Sequence, residues 1–204
     1  NAPNVVLVPL SSPAKNIEQL IAHAKSKPGA LNFGSNGNGT LPHLAGELFK
    51  SMTGINMVHV PYKGAAPATN DLMAGQIQLI FIVPSGLEQH VRSGKLRALA
   101  VASSKRHPVF PDVPTSAEAG LPGAEFDGWY GLLLPAATPR EIVAKLNAAI
   151  VETLSDNSVR ARFADIGQDI PPREEQTPQA LAAYHKAEID KWWPLIKAAG
   201  LKAE

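Results

Sequence analysis

Cysteine is absent from the 204 residues. That removes disulfides, thiolate nucleophiles and cysteine-ligated metal centres together. Aromatic residues are scarce at 6%, and the basic residues Lys15, Lys25, Lys27, Lys63, Arg92, Lys95 and Arg97 are scattered instead of forming a stripe interleaved with rings. Nucleic acid is therefore not an expected partner. Neither sign of charge prevails, the net charge being +1. No apolar run approaches the roughly 20 residues that a membrane-spanning helix needs; runs such as 77–83 have the length of a strand, so no direct membrane insertion is expected. No secretory leader is visible, and the chain opens on Asn1 without a methionine, as a processed or excised piece would.

What the chain does have is alternation. Hydrophobic residues make up 45% and charged residues 18%, a soluble globular composition with enough length for one large domain or two small ones. Strands are predicted at 5–10, 31–35, 57–60, 76–83 and 96–102. Helices between them are predicted at 17–25, 41–53, 67–74 and 84–92, with Asn16 placed as a cap and Pro28-Gly29 and Gly54 as stops. Residues 103–126 carry Pro108, Pro111, Pro114 and Pro122 with nearby glycines, which reads as an irregular connection with one helical turn after Thr115. Beyond it come a predicted strand at 129–134, a helix opened by Thr138-Pro139 with Ile142, Leu146, Ile150 and Leu154 as its buried stripe, a helix at 159–165, and a long helix opened by Thr177-Pro178. Pro194 is expected to kink or restart that last helix. Alternating elements of these lengths predict α/β with mainly parallel sheets. The division predicted is a first unit of about 9–105 and a largely helical second unit of 106–204, with too few strands of its own to cover its helices.

The segment with most chemical content is Asn36-Gly37-Asn38-Gly39-Thr40, between the strand at 31–35 and a helix whose Leu41, Leu44, Ala45, Leu48, Phe49 and Met52 form one apolar face. Backbone N–H groups of such a loop and the helix N-terminus converge on one point that favours an anion. The Gly-Lys-Ser/Thr ending of a P-loop is missing, and Gly34, Gly37 and Gly39 do not have the spacing of a dinucleotide fingerprint. A plain tight turn is the competing reading; the extra donors Ser35, Asn38 and Thr40 favour anion binding. A second strand-to-helix junction, Tyr62-Lys63-Gly64, offers a phenol and a close backbone approach. His43 and Glu47 stand one turn apart but lack a third metal ligand, so no metal and no cofactor are expected. Ser35 does not sit in a Gly-x-Ser-x-Gly elbow, which gives a hydrolase little support.

These residues carry a resemblance. The run 33–40 followed by His43-Leu44-Ala45-Gly46-Glu47-Leu48-Phe49 resembles the solute receptors of tripartite tricarboxylate transporters, the Bug family. So do His59-Val60-Pro61-Tyr62-Lys63-Gly64 with Asp71-Leu72, 93–101, 111–120, and Gly131-Leu132-Leu133 with Thr138-Pro139. The resemblance implies a type II periplasmic-binding-protein-like α/β fold, with two lobes joined by crossing strands and one lobe incomplete here because the family's N-terminal segment is missing. On this reading 9–105 is the complete lobe and 106–204 the C-terminal half of the other. It implies a periplasmic, non-enzymatic receptor that takes a small organic acid and hands it to membrane transporter subunits. Ser35, Asn38, Gly39 and Thr40 would form part of the carboxylate cradle, with Tyr62 and Gly64 on the opposite rim. Pro84 and Ser85 would follow the strand approaching the site, and His43, Ile82 and Val83 would stand behind it. Many relatives have a polar pair after the residue corresponding to Phe81. Ile82-Val83 stands there instead, offers no acid to an ammonium group, and favours a purely acidic or partly apolar solute. The alternatives are an effector-sensing domain of a transcription regulator and a small hydrolase or isomerase using Ser35 or His43.

Overall fold

The computed structural model describes residues 2–201. The elements run β1 (Ala2–Pro3), β2 (Val5–Pro9), α1 (Ile17–Ser26), β3 (Leu31–Ser35), α2 (Leu41–Thr53), β4 (Met57–Pro61), α3 (Ala65–Met73), β5 (Leu79–Ile82), α4 (Glu88–Arg92), β6 (Leu96–Val101), β7 (Asp127–Gly128), α5 (Arg140–Ser155), α6 (Asn157–Asp165) and α7 (Pro178–Ala198), with a 3₁₀ turn at Arg173–Glu175. They group into two compact units. One comprises Pro3–Gly128 with the chain from Leu195 onward; the other comprises Ala2 and Trp129–Pro194.

The first unit is built on a five-stranded sheet of order β4-β3-β5-β2-β6. β3 runs parallel to both β4 and β5, whereas β2 runs antiparallel to β5 and β6. The sheet is therefore mixed, not mainly parallel as expected. One face buries Val5, Leu7, Ile80, Ile82 and Val101 beneath α3 residue Leu72. The opposite face carries Phe33 and Phe81 in edge-on contact at 6.4 Å, with Phe49 of α2 at 5.6 Å and Phe126 at 6.2 Å from Phe81. A small apolar cavity of about 20 Å³ lined by Val6, Phe49, Phe81, Ala100 and Phe126 remains there, which is water-sized.

The unit extends past residue 105, to Gly128, for a physical reason. Thr115 bridges Val101 at the sheet edge, Phe110 enters the core, and Phe126 donates its N–H to the Ala102 carbonyl at 2.9 Å. The turn after Thr115 is a reciprocal cap: Glu118 N–H donates to Thr115 Oγ1 at 3.2 Å, and Thr115 N–H to Glu118 Oε2 at 2.8 Å.

In the second unit the expected strand at 129–134 does not form; the only strand nearby is β7, and residues 129–134 run without sheet pairing. α5 starts at Arg140 after Pro139, and Thr138 spends its hydroxyl on the Pro135 carbonyl. α6 is capped by Asp156, which accepts from Ser158 and Val159 N–H groups. α7 continues through Pro194 without a break in assignment. The stripe on α5 is only partly covered: Ile142 is 43% and Leu146 37% exposed. Leu132, Leu133, Ile189 and Trp193 are exposed as well. Periodicity identifies an apolar face; it does not supply what covers it.

α2 and β3 fit together through glycine. A Cβ on Gly46 would overlap the Phe33 ring, which is fully buried. Gly46→Ala should therefore destabilise by about 1–3 kcal/mol through overpacking, although alanine is intrinsically the better helix former by about 1 kcal/mol. Urea unfolding checks the sign, and a stabilised variant would show that the ring has room to move.

Candidate ligand-binding site

Because β3, β4 and β5 are parallel, their carboxyl ends share one edge of the sheet. The segments that leave that edge are 36–40, 62–64 and 83–87, the places where open α/β sheets present ligand-binding backbone. The first two loops meet. Tyr62 N–H donates to the Ser35 carbonyl at 3.0 Å, and a Cβ built on Gly37 would lie 3.5 Å from the Tyr62 carbonyl oxygen. Gly37, Gly39 and Gly64 all have positive φ, at 134°, 71° and 111°, which an L side chain adopts only with strain.

The loop's polar atoms divide into two sets. Ser35 is 1% exposed; its Oγ accepts Gly37 N–H at 3.1 Å, lies 3.0 Å from the Gly37 carbonyl oxygen and 2.6 Å from His59 Nε2. Thr40 donates its hydroxyl to Gly37 O at 2.7 Å and so does not cap α2 with its side chain. Gly39 N–H donates to His43 Nδ1 at 3.1 Å. These groups hydrogen-bond within the loop and build it. The N–H groups of Leu41 and His43 are the other set. Among the described residues no acceptor faces them, and Pro42 between them has no N–H. α3 begins in the same way, with Gly64 at its N-cap, no side-chain cap and Pro67 in its first turn.

The remaining expected residues take distinct places. Asn38 is exposed on the loop. Tyr62 is half-buried and donates its hydroxyl to Asp71 Oδ2 at 2.7 Å; burial, then that bond, pushes its pKa up to about 12. Pro84 is buried and its carbonyl accepts Leu87 N–H, while Ser85 is exposed on the third loop. Ile82 packs in the core on the α3 face, and Val83 is half-buried just beyond β5.

Beneath the loop lies a pair that sequence reading did not join. The His43 and His59 rings stack with centroids 3.6 Å apart and planes at 10°, and Phe33 flanks His59 at 4.9 Å. His59 stands opposite Phe33 in the parallel register, so its ring falls on the α2 face. Alternation along 57–61, counted from Phe33's partner, was the signal that could have found it. Glu47 Oε1 lies 3.9 Å from His43 Nε2 and is held by Lys50 at 2.9 Å. Burial, offset in part by Glu47, lowers the His43 pKa. Burial, followed by the charges of His43 and Lys50, lowers that of His59 to about 4.

The Ser35–His59 contact lacks two usual features of an activated nucleophile. The hydroxyl is buried, and no carboxylate is among the groups acting on His59. No group of three or more His, Asp or Glu side chains able to hold a metal occurs among the described residues.

For His59 the linkage sign follows directly. Its folded pKa of about 4 lies below the ordinary 6.5, so between those values the unfolded chain binds more protons. Stability contributed by neutral His59 is complete above 6.5 and is lost as the pH falls towards 4. Unfolding measured from pH 7 to 4 should show that loss, and histidine NMR should find His59 still neutral at pH 5; titration near 6.5 would overturn the assignment.

Comparison with known proteins gives the arrangement its context. The family described as "Tripartite tricarboxylate transporter family receptor" matches residues 1–201. BugT of Bordetella pertussis is 38% identical over 188 residues, covering 92% of this chain and 56% of BugT. A protein of the tcbD–tcbE intergenic region of a Pseudomonas species is 38% identical over 202 residues, covering 98% and 59%. The chain thus spans somewhat under two thirds of these relatives' length. Among solved structures, MatC from Rhodopseudomonas palustris with bound malate superposes with a TM-score of 0.88 at 34% identity, covering 96% of this chain and 66% of MatC. An R. palustris protein with adipate gives 0.87 at 35%, covering 98% and 66%. An ancestral arginine-binding protein, at 13% identity and a TM-score of 0.50, covers 80% of this chain and 59% of its own and shares the fold alone.

Proposed function

This chain belongs to the tripartite tricarboxylate transporter receptor family, and from that premise we propose that it is part of an extracytoplasmic receptor that captures a small carboxylate-bearing solute. Its fold is the α/β fold of periplasmic binding proteins. The observation that carries the proposal is the uncapped start of α2: the Leu41 and His43 N–H groups, without internal acceptors, at the shared carboxyl edge of three parallel strands. Two aligned donors at the positive end of a helix match the two oxygens of a carboxylate in charge and in valence. Asn38, Thr40, Tyr62, Gly64 and Ser85 border that edge as the rim of the site, with Ser35, Gly39, His43 and Pro84 shaping its loops and Val83 behind. Malate and adipate occupy related proteins, and a dicarboxylate of similar size is the expected class here.

The solute would be passed to membrane transporter subunits, and the receptor would work in the periplasm. No helix among the described residues is long and apolar enough to cross a membrane. Leu132, Leu133, Ile142, Ile189 and Trp193 are exposed in the second unit. We assign their cover, and the second half of the carboxylate site, to the portion of the relatives' length that this chain does not span.

Thermal shift of the full-length receptor against mono-, di- and tricarboxylates tests the ligand class. A dicarboxylate at 100 times its Kd should stabilise by about 2.7 kcal/mol, and no response to any acid in the panel would reject it. The residues 2–201 alone should bind the same acid at least tenfold more weakly and bind an apolar dye at the second unit; equal affinity would remove the need for a further segment. Leu41→Pro deletes one donor at a helix position that tolerates proline. It should weaken binding about ten- to a hundredfold, the loss of one hydrogen bond to a charged group, with the fold retained by circular dichroism.

A further inference from the structure

Each of the two stacked imidazoles holds one part of the anion loop. His43 Nδ1 accepts the Gly39 N–H at 3.1 Å, and a ring nitrogen that accepts is unprotonated, so the neutral ring carries its proton on Nε2, the nitrogen facing Glu47. His59 Nε2 meets Ser35 Oγ at 2.6 Å, and that oxygen receives the Gly37 N–H. Ser35 has a single hydroxyl proton for two neighbours, His59 Nε2 and the Gly37 carbonyl, so this junction tolerates a proton on either partner. The Gly39 junction does not. A proton on His43 Nδ1 turns its acceptor into a donor aimed at another donor.

We propose that the stacked His43–His59 pair is the positioning element of the anion loop, and that it holds the loop in its binding shape only while the His43 ring is neutral. Rings 3.6 Å apart cannot both carry positive charge without strong repulsion. The groups facing the pair do not compensate. On α2, the Glu47 carboxylate is 3.9 Å from His43 Nε2 but is itself gripped by Lys50 at 2.9 and 3.0 Å. Lys50 repels a proton from both rings. From β3, Phe33 and Ser35 bring no charge; from β4 the facing group is His59 itself. Burial adds to this and keeps both rings neutral at pH 7. In acid a proton entering at His43 Nδ1 releases Gly39, and its N–H turns away from the geometry that sets Thr40 and the first turn of α2.

This makes His43 and His59 positioning residues, and it predicts a sign. Were the imidazoles merely a source of positive charge for a carboxylate, acid would tighten binding. Acting as positioning groups, they loosen it.

The proposal rests on the carboxylate reading only in its ligand arm, so the test has two. In the full-length receptor labelled with ¹⁵N, His43 should be the Nε2–H tautomer at pH 7. The Gly39 amide should be protected at pH 7 and lose protection, beyond its intrinsic exchange, as the His43 ring titrates. His43→Asn offers an oxygen near the Nδ1 position that cannot be protonated in this range; it should keep Gly39 protected in acid. His43→Leu, without an acceptor, should leave Gly39 unprotected at every pH. Malate affinity, divided by that of His43→Asn to cancel the ligand's own titration, should fall about tenfold per pH unit below the ring's midpoint. A His43 ring protonated on Nδ1 at pH 7, a Gly39 amide indifferent to pH, or malate binding that tightens in acid relative to His43→Asn would each overturn the proposal. If malate fails to bind at any pH while the ring and amide behave as stated, the positioning role is supported and the malate reading falls.

Discussion

The close approach of α2 to β3 at Gly46 governs the geometry of everything near the sheet's carboxyl edge. With no Cβ at 46, the Phe33 ring rests against the helix backbone and the helix sits low over the sheet. That height brings the His43 ring of α2 to 3.6 Å from the His59 ring of β4. It also places the first turn of α2, which has no side-chain cap, at the mouth of the parallel strands. A helix raised by one methyl group would separate the rings and carry the donors away from the Tyr62 loop.

The electrostatics of this edge depend on dipoles more than on charges. The nearest cation on the helix, Lys50, is committed to Glu47 in a two-oxygen contact, and Lys63 is exposed on the neighbouring loop. An anion held by amides and a helix terminus gains less than one held by a fixed guanidinium, because partial charges replace a whole one. The corresponding advantage is that nothing permanently charged must be desolvated when the site is empty.

Local signals in the sequence located much of this. The bounds of β3 and α2 were legible to the residue, because an apolar period, a glycine loop and Gly54 in a left-handed cap mark both ends. The loop was legible as a glycine-rich turn between β3 and α2. Which polar atoms the loop uses internally was not: Ser35 and Gly39 make hydrogen bonds within it, and α2 starts without a side-chain cap. Side-chain identity does not report where a backbone N–H points. His59 was overlooked for a related reason, since its partner is set by strand register across 24 residues of sequence. Strand direction has no local signature either, which is why the antiparallel placement of β2 between β5 and β6 was not foreseen. The run 129–134 has strand-like residues and no strand to pair with, and propensity alone cannot form a ladder.

The outward donors of α2 belong to the main chain, and this bears on how such a receptor diversifies. Replacing the side chain of Leu41 or of a rim residue leaves those N–H groups where they are, so the grip proposed for one carboxylate would be insulated from sequence drift. Discrimination among acids must then be written in whatever meets the rest of the solute, and a lineage can change its diet by altering those residues while its hold on the shared functional group stays untouched. A scan that truncates side chains one at a time would pass over the anchor and record only the preferences built around it.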